Sequence, residues 1–560
     1  MTLIARFALI AALIGGVCRP IVAEDATPRV SIVLPSGDAL TGNLKFLLGL
    51  TSKEEQKQLP VVLDYLQIFQ IGIDGKKPIC MDLLIADKSV RMLSSFPVSN
   101  LNDFKENLDG FGIAIKRKPK SLYKLSGAYD GFMRYRRGSR YASISEKQAD
   151  VPADKPGNPH DPRKSVQGFL DQGADLGVQV INAADQQDQR RASFDSVRKE
   201  IMAGVKSKPK EAAEDFALRK LVTQHQMDEL QRFFVESAKF SLSWTTDAKA
   251  KLGRGVLSLA ATPDTSLAAS IALLGQEPSC FANITDPDKS IFSGRLHHPL
   301  DKQRQQRLAE LFGELRGRFH TKIKGYKASD ERKAATDTLV DHVMDMLTAN
   351  AKAGLTDAFV QVIEPAEDKR TVLGGVHVAD AAPLTEIVNL LPKSIANVEV
   401  ETDVATEGDV KIHKLTLTNS SQTFQDFLGS DQAIYLGASK DIVWYAAGAD
   451  ALDSLKKAIT AAAEEVKSED VESIPFFSLD FRVLPWLRLR QQQAAGKADS
   501  GNVELRKLAL EAFSAGDDRV SMQLARDGND VAGRMEVATG ILRLAGKLVA
   551  QFSKENLEDE

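Results

Sequence analysis

Two widely separated pairs of segments match one another at one spacing, and this constrains the fold more than any motif does. Pro97-Val98-Ser99-Asn100-Leu101-Asn102-Asp103-Phe104 stands 280 positions before His377-Val378-Ala379-Asp380-Ala381-Ala382-Pro383-Leu384. Each reads as a strand end, a short polar turn and a helix start, with apolar residues at Phe104 and Leu384 and again at Leu108 and Val388. Ser241-Leu242-Ser243-Trp244 with Gly253-Arg254 matches Ser521-Met522-Gln523-Leu524 with Gly533-Arg534 at the same offset of 280. An Ala-Thr pair then opens a helix in both places, Ala261-Thr262 and Ala538-Thr539. One offset kept at both ends is the mark of an internal repeat. The expected organisation is two tandem duplicated units, 24–274 and 334–560, with a connector at 275–333.

Apolar spacing gives the contents of each unit. Leu59, Val62, Leu63, Leu66 and Phe69 recur at helical period, as do Leu339, Val343, Met346 and Leu347, which predicts helices at 58–69 and 335–347. Alternating runs at 79–85 and 90–96 predict a hairpin, and 358–363 with 371–378 predicts its counterpart. Four further strand-like runs follow in the second unit, at 397–402, 410–417, 432–436 and 441–446. Hairpins with helices between them point to α+β, an antiparallel sheet with packed helices, rather than a doubly wound parallel sheet. Residues 150–164 carry Pro152, Pro156, Pro159 and Pro162 among charges, so they are expected to form a surface loop or linker. The connector holds an amphipathic helix with Leu308, Leu311, Phe312, Leu315 and Phe319 on its apolar stripe, expected to pack on a domain face.

Residues 1–23 read as a secretory signal peptide. Arg6 is the positive start, 7–17 (FALIAALIGGV) is unbroken apolar chain, and Ala23 is a small residue before Glu24-Asp25. That apolar run reaches only about half-way across a ~30 Å hydrocarbon core, so no transmembrane anchor is expected after signal removal. The expected location is outside the cytoplasm, periplasmic or extracellular. The chain has 72 basic against 76 acidic residues, a balance that argues against a dedicated nucleic-acid partner. Its 560 residues exceed what one hydrophobic core encloses. Cys80 and Cys280 lie in apolar surroundings, and two free thiols are expected, a Cys80–Cys280 disulfide being the alternative in an oxidising compartment. The export signal, the hairpin ending in Phe96-Pro97-Val98 before a Leu/Phe-bearing helix, and the tandem arrangement resemble large exported proteins of planctomycete-type bacteria. That resemblance implies secretion, carries no known reaction, and transfers no functional residue.

One stretch stands out in composition. Between 116 and 141 there are nine basic residues (Lys116, Arg117, Lys118, Lys120, Lys124, Arg134, Arg136, Arg137 and Arg140) against the single acid Asp130, with Tyr123, Tyr129, Phe132, Tyr135 and Tyr141 interleaved. Arginine forks grip carboxylate, sulfate or phosphate, and a cationic face draws an anionic partner. The candidate anion- or polymer-binding residues are Arg134, Arg136, Arg137, Arg140, Lys116, Arg117, Tyr135 and Tyr141. The alternative is a solvated sheet face balanced by acids from elsewhere, such as 464–472.

The remaining motifs are weak. Asp286-Pro287-Asp288-Lys289-Ser290 has the spacing of a phosphotransferring aspartate motif, but that chemistry needs a parallel sheet and the residues also spell a common turn. His297-His298 with Asp301 offers metal-ligand types, but adjacent residues diverge and no H-E-x-x-H completes a set. Ser-x-x-Lys occurs at Ser121, Ser196, Ser207 and Ser454, as often as chance supplies, with no partner motif. No cofactor and no metal is expected. The functional expectation is a non-enzymatic exported binding or scaffold protein of the cell envelope, holding an anionic polymer or a protein partner. The alternatives are a hydrolase of an envelope polymer using a carboxylate pair, and, more weakly, an apolar-ligand carrier.

Overall fold

A computed structural model describes residues 29–86, 89–152, 161–366, 369–429, 433–464, 475–494, 503–515 and 517–557. The expected signal peptide, most of the Pro-rich loop and most of the acidic run at 464–472 lie outside the described residues. The first half of the chain contains β1 (Arg29–Leu34), α1 (Gly37–Gly49), α2 (Lys53–Gln56), α3 (Leu59–Gln70), β2 (Ile79–Ala86), β3 (Ser89–Pro97), α4 (Leu101–Gly110), β4 (Ile113–Lys118), β5 (Leu122–Gly127), β6 (Gly131–Arg136), β7 (Tyr141–Ser145), α5 (Arg163–Asp171), β8 (Leu176–Ile181), α6 (Gln187–Gly204), α7 (Ala213–Glu236), β9 (Ser237–Asp247), β10 (Leu252–Ala261) and α8 (Ser266–Ala272). The second half contains β11 (Ser290–Pro299), α9 (Lys302–Lys324), α10 (Asp330–Ala353), β12 (Leu355–Ala366), β13 (Lys369–His377), α11 (Leu384–Ser394), β14 (Val398–Glu407), β15 (Val410–Leu417), α12 (Gln422–Leu428), β16 (Ala433–Ala438), β17 (Ile442–Gly448), α13 (Ala451–Ala462), β18 (Phe477–Arg482), α14 (Val483–Ala494), α15 (Val503–Ser514), β19 (Arg519–Asp527), β20 (Asp530–Val537) and α16 (Thr539–Asn556).

Local chemistry sets many of the helix starts. Ser36, Ser52, Asn100, Asp301, Ser329 and Ser421 each accept a backbone N–H of the first turn, and Ser52 with Glu55 forms a reciprocal capping box. Gly354, in the left-handed region at φ 82°, ends α10 and turns the chain into β12.

The fold is α+β, one 20-stranded sheet with helices packed on it. Following the pairings from edge to edge, the strands run β4-β5-β6-β7-β3-β2-β1-β8-β9-β10-β20-β19-β18-β11-β12-β13-β17-β16-β15-β14, antiparallel at every step. Counted inward from either edge, β1 to β10 and β11 to β20 occupy places in the same order. Helices recur as well: after β1 and β11, after β3 and β13, after β7 and β17, before β9 and β19, and after β10 and β20. The segments matched at the sequence level end β3 and β13 and build β9–β10 and β19–β20.

The halves join at β10 and β20. There Gly255 faces Met535, a residue 280 positions on, with Gly253 facing Val537 and Leu257 facing Gly533 on either side. This register is what a local two-fold through the seam produces. Two helix contacts brace the joint. Between α7 and α9, Arg232 reaches Asp301 (3.0 Å), Arg304 reaches Glu229 (2.6 Å), and Arg307 reaches both Asp228 and Glu229 (3.0 Å each). Between α16 and α1 the backbones approach so closely that a Cβ on Gly546 would lie 2.2 Å from the Leu47 carbonyl oxygen.

Residues 275–333, expected as a connector, contain β11, which pairs with β12 and β18 inside the second half's part of the sheet. Ser293, Gly294 and Arg295 interrupt its apolar run, which is why the pattern did not declare a strand. The amphipathic helix of that stretch is α9, packed against α7 and α10. The apolar cores lie under individual helices: Phe104 of α4 beneath β4–β7, Val166 and Phe169 of α5 with Val33 and Cys80, and Leu455 and Ile459 of α13 with Trp444 and Phe359. Among the described residues no helix is long and apolar enough to cross a membrane.

Candidate anion-binding face

The basic stretch forms the four-stranded end of the sheet, β4 to β7. Register fixes which side chains share a face: Lys118, Leu122, Arg134 and Ser143 lie in one cross-strand row, and Lys116, Lys124, Phe132 and Ser145 in the next. Side chains alternate along a strand, so Arg117 and Tyr135 point to the opposite face. There Tyr123 and Tyr135 pack into the core under α4, and Lys105 sits 4.8 Å above the Tyr123 ring. The interleaving of cations and aromatics therefore sorts them onto two sides. On the cationic side Phe132 remains, with Lys118 5.7 Å from its ring.

The expected contacts divide accordingly. Lys116 and Arg137 are exposed and Arg134 is half-buried. Arg140, also exposed, holds the turn into β7 at φ 60°, its carbonyl accepting from Val98 N (2.8 Å). Arg136 and Tyr141 are structural instead: Arg136 is 2% exposed and donates to the Pro152 carbonyl, and Tyr141 is 0% exposed and donates to the Pro78 carbonyl at 3.0 Å. Burial pushes the Tyr141 phenol well above its ordinary value. These two hold the start of the Pro-rich loop and the end of β7 in place, alongside the Arg91–Asp150 pair at 2.7 Å. Two residues outside the expected set join the face, Lys118 and Lys124; alternation from Lys116 and the tight turn after Lys118 were the signals for them. None of Lys116, Lys118, Lys124 and Arg134 has a carboxylate partner among the described residues, and Arg134 Nε lacks a hydrogen-bond acceptor. Lys116 stands directly opposite Lys124, a like-charge pair that disfavours the sheet unless an anion lies between.

A second concavity lies beside the seam, a groove of about 360 Å³ lined by Asp286, Ser293, Ser478, Asp480, Asp517, Arg519, Ser521, Gln523 and Glu536. Its carboxylates are engaged. Asp286 accepts from Ser293 (2.7 Å), Gln361 (2.8 Å) and Arg295 (2.9 Å), Asp480 from Arg519 (2.6 Å), and Glu536 from Arg254 (3.2 Å). Burial would raise the Asp286 carboxyl, but its three donors together hold it below the usual carboxylate range. A glycosidase-type pair needs one carboxyl raised to act as an acid. Among the described residues, burial and Asp527 raise the carboxyl of Asp530, at the β19–β20 turn outside this groove.

The other sequence candidates separate in space. Asp286 begins an antiparallel region, without the parallel strand its motif requires. His297 is 6% exposed, with Nδ1 3.3 Å from the buried Asp357, whereas His298 turns toward Arg304 at 3.5 Å. Among the described residues no cluster of three or more His, Cys, Asp or Glu is placed to hold a metal ion. Cys80 and Cys280 are both free thiols, the first packed under α5 and the second beside Asp357. Burial, with nearby carboxylates, pushes each thiol up to about 12. The chain matches no protein-family model, no curated protein and no solved structure.

Proposed function

We propose that the protein is an exported, non-enzymatic holder of an anionic cell-envelope polymer, gripped on the outer face of β4–β6. The observation that carries this reading is the group Lys116, Lys118, Lys124 and Arg134, which shares one face with no carboxylate to neutralise it among the described residues. Lys116 and Lys124 stand opposite one another on adjacent strands, about 5 Å apart, Lys118 lies two residues along β4 and Arg134 diagonally on the next strand, a spread of cations that suits several sulfate, phosphate or carboxylate groups. The apolar 7–17 run supports export, and the common strand order of the halves supports descent from one duplicated unit, specialised afterwards on the first side. A hydrolase is favoured less, because the groove's carboxylates already accept from arginines.

Retention on a sulfated polysaccharide column tests the reading. Lys124→Ser with Arg134→Gln leaves the buried Arg136 alone, and should elute at lower salt than wild type. The dependence of log retention on log salt should become shallower by about one per cation lost. Retention unchanged in a folded variant would remove this face as the polymer site.

A further inference from the structure

The sheet has two open ends of opposite chemistry. Among the described residues β4 pairs only with β5, and β14 only with β15. We propose that the protein associates head to tail with further copies of itself, β14 of one copy adding to β4 of the next. This goes beyond polymer binding and does not rest on it.

The two edges fit on both faces. In β4, Ile113 and Ile115 lie on the side packed by α4, while Lys116 and Lys118 lie on the other. In β14, Val398 and Val400 share a side with Leu417 and Leu415, and Glu399 and Glu401 share the other with Thr416 and Lys414. Val398 is buried and Val400 half-buried while Glu399 and Glu401 are exposed, and α11, the helix that corresponds to α4, packs against β14. Setting Lys116 of β4 opposite Glu399 of a second copy's β14 also sets Ile115 opposite Val400, an ion pair on one face and an apolar pair on the other, with Ala114 opposite Glu401 and the stem of Arg117 opposite Val398.

Strand direction agrees. Twenty strands alternate in direction without a break, so β4 and β14 of one molecule run oppositely. A second copy placed so that the twisted sheet simply continues presents its β14 antiparallel to β4 with the same faces up. The added pairing continues the antiparallel ladder.

Charge also excludes the competing contacts. Two β4 edges would bring Lys116 and Lys118 against their own copies, and two β14 edges would do the same with Glu399 and Glu401. Like charges across a strand pair disfavour both. Only the unlike pairing is left, and it is heterologous, so it makes chains or rings rather than closed dimers. The strand register shifts after Glu401, and Asp403 sits at φ 53°. The regular ladder available for docking is thus 398–401, a short contact whose strength depends on concentration and on salt.

Sedimentation velocity on the purified protein tests this, from about 1 to 100 μM, a range that brackets micromolar affinity. At low salt the mean mass should rise with concentration above that of one chain, 61.1 kDa with its leader. About 1 M salt, which cuts the screening length to roughly 3 Å, should return it to one chain. Lys116→Glu/Lys118→Glu should stay at one-chain mass, and so should Glu399→Lys/Glu401→Lys. An equimolar mixture of the two should associate again, because each then offers the edge the other lacks. Lys414 lies 2.8 Å from Glu401, so Glu399→Lys alone serves if the double variant fails to fold. Wild type that stays at one-chain mass throughout, reversal variants that associate like wild type, or a mixture that does not associate would each overturn the proposal. Lys116 and Lys118 belong to the polymer face as well, so the Glu399→Lys/Glu401→Lys variant, which leaves that face intact, distinguishes loss of association from loss of polymer retention.

Discussion

Gly546 puts the joint between the halves to a test in which two principles disagree about sign. Replacing a helix-interior glycine with alanine favours the helix by about 1 kcal/mol, so propensity alone predicts that Gly546→Ala stabilises α16. The packing predicts the reverse. The new Cβ would lie 2.2 Å from Leu47 O, 2.8 Å from Leu47 C and 2.8 Å from Thr51 Cγ2, whereas carbon and oxygen rest at about 3.3 Å or more. The contacted atoms are mostly backbone and cannot swing aside, so α16 must back away from α1 by roughly 1 Å. Three interactions span the same joint: Arg543 Nε to Leu50 O (3.0 Å), Lys547 Nζ to Glu55 (2.7 Å) and Ser553 Oγ to Gln58 (2.9 Å). Overpacking costs about 1–3 kcal/mol and each loosened bond about 1 kcal/mol. Set against the helix gain, the net expectation is a loss of about 2 kcal/mol or more. Gly313→Ala and Gly317→Ala are the matched controls, because both positions lie inside α9 with nothing within 4 Å of an added Cβ. Each should stabilise by up to about 1 kcal/mol. Urea unfolding followed by circular dichroism gives the signs, and hydrogen exchange in α16 localises the change. If Gly546→Ala matches or exceeds wild-type stability, the close approach of α16 to α1 is wrong.

Two further outcomes follow from the ion pairs between helices. Arg232 is 4% exposed and donates to Ser266 O at 2.8 Å while pairing with Asp301. Arg232→Met should therefore cost about 1–3 kcal/mol, because Ser266 O and Asp301 each lose a charged donor while Asp301 keeps its cap contacts to Gln303 N and Arg304 N, with Arg232→Lys a poor rescue because a point charge cannot span both partners; a loss under 1 kcal/mol in urea unfolding would contradict the buried bridge. His320 links α9 to α10, and its hydrogen bond to Asp337 (2.7 Å), helped by Asp341, raises its pKa above the ordinary value. A raised folded value means the contribution is complete below about pH 6.5 and fades as pH climbs through the folded value; the melting-temperature difference between wild type and His320→Gln should shrink as pH rises through that value, and parallel curves would refute it.

The hairpins, the α10 helix and the β14–β17 strands were legible because apolar alternation and helical spacing are local signals. The strand β11 was not, since Gly294 and Arg295 break its pattern and Arg295 is neutralised by Asp286, a partner from the preceding turn. The basic stretch was legible as composition but not as a surface. Whether Arg136 faces solvent or the Pro152 carbonyl depends on where residue 152 lies, and nothing near Arg136 in sequence states that. The acidic edge of β14 drew no notice for a similar reason: glutamates at alternate positions are ordinary until the strand proves to have one neighbour.

The amino-acid order by itself determined the local conformations, the antiparallel character and the spacing of 280, because propensity, periodicity and recurrence act over a few residues or by direct comparison. Only the tertiary structure decided that the halves share one sheet through β10 and β20. It alone separated buried cations from exposed ones and left β4 and β14 at its ends. Those facts depend on pairings between distant strands, and the register of such a pairing is set by packing across the whole sheet.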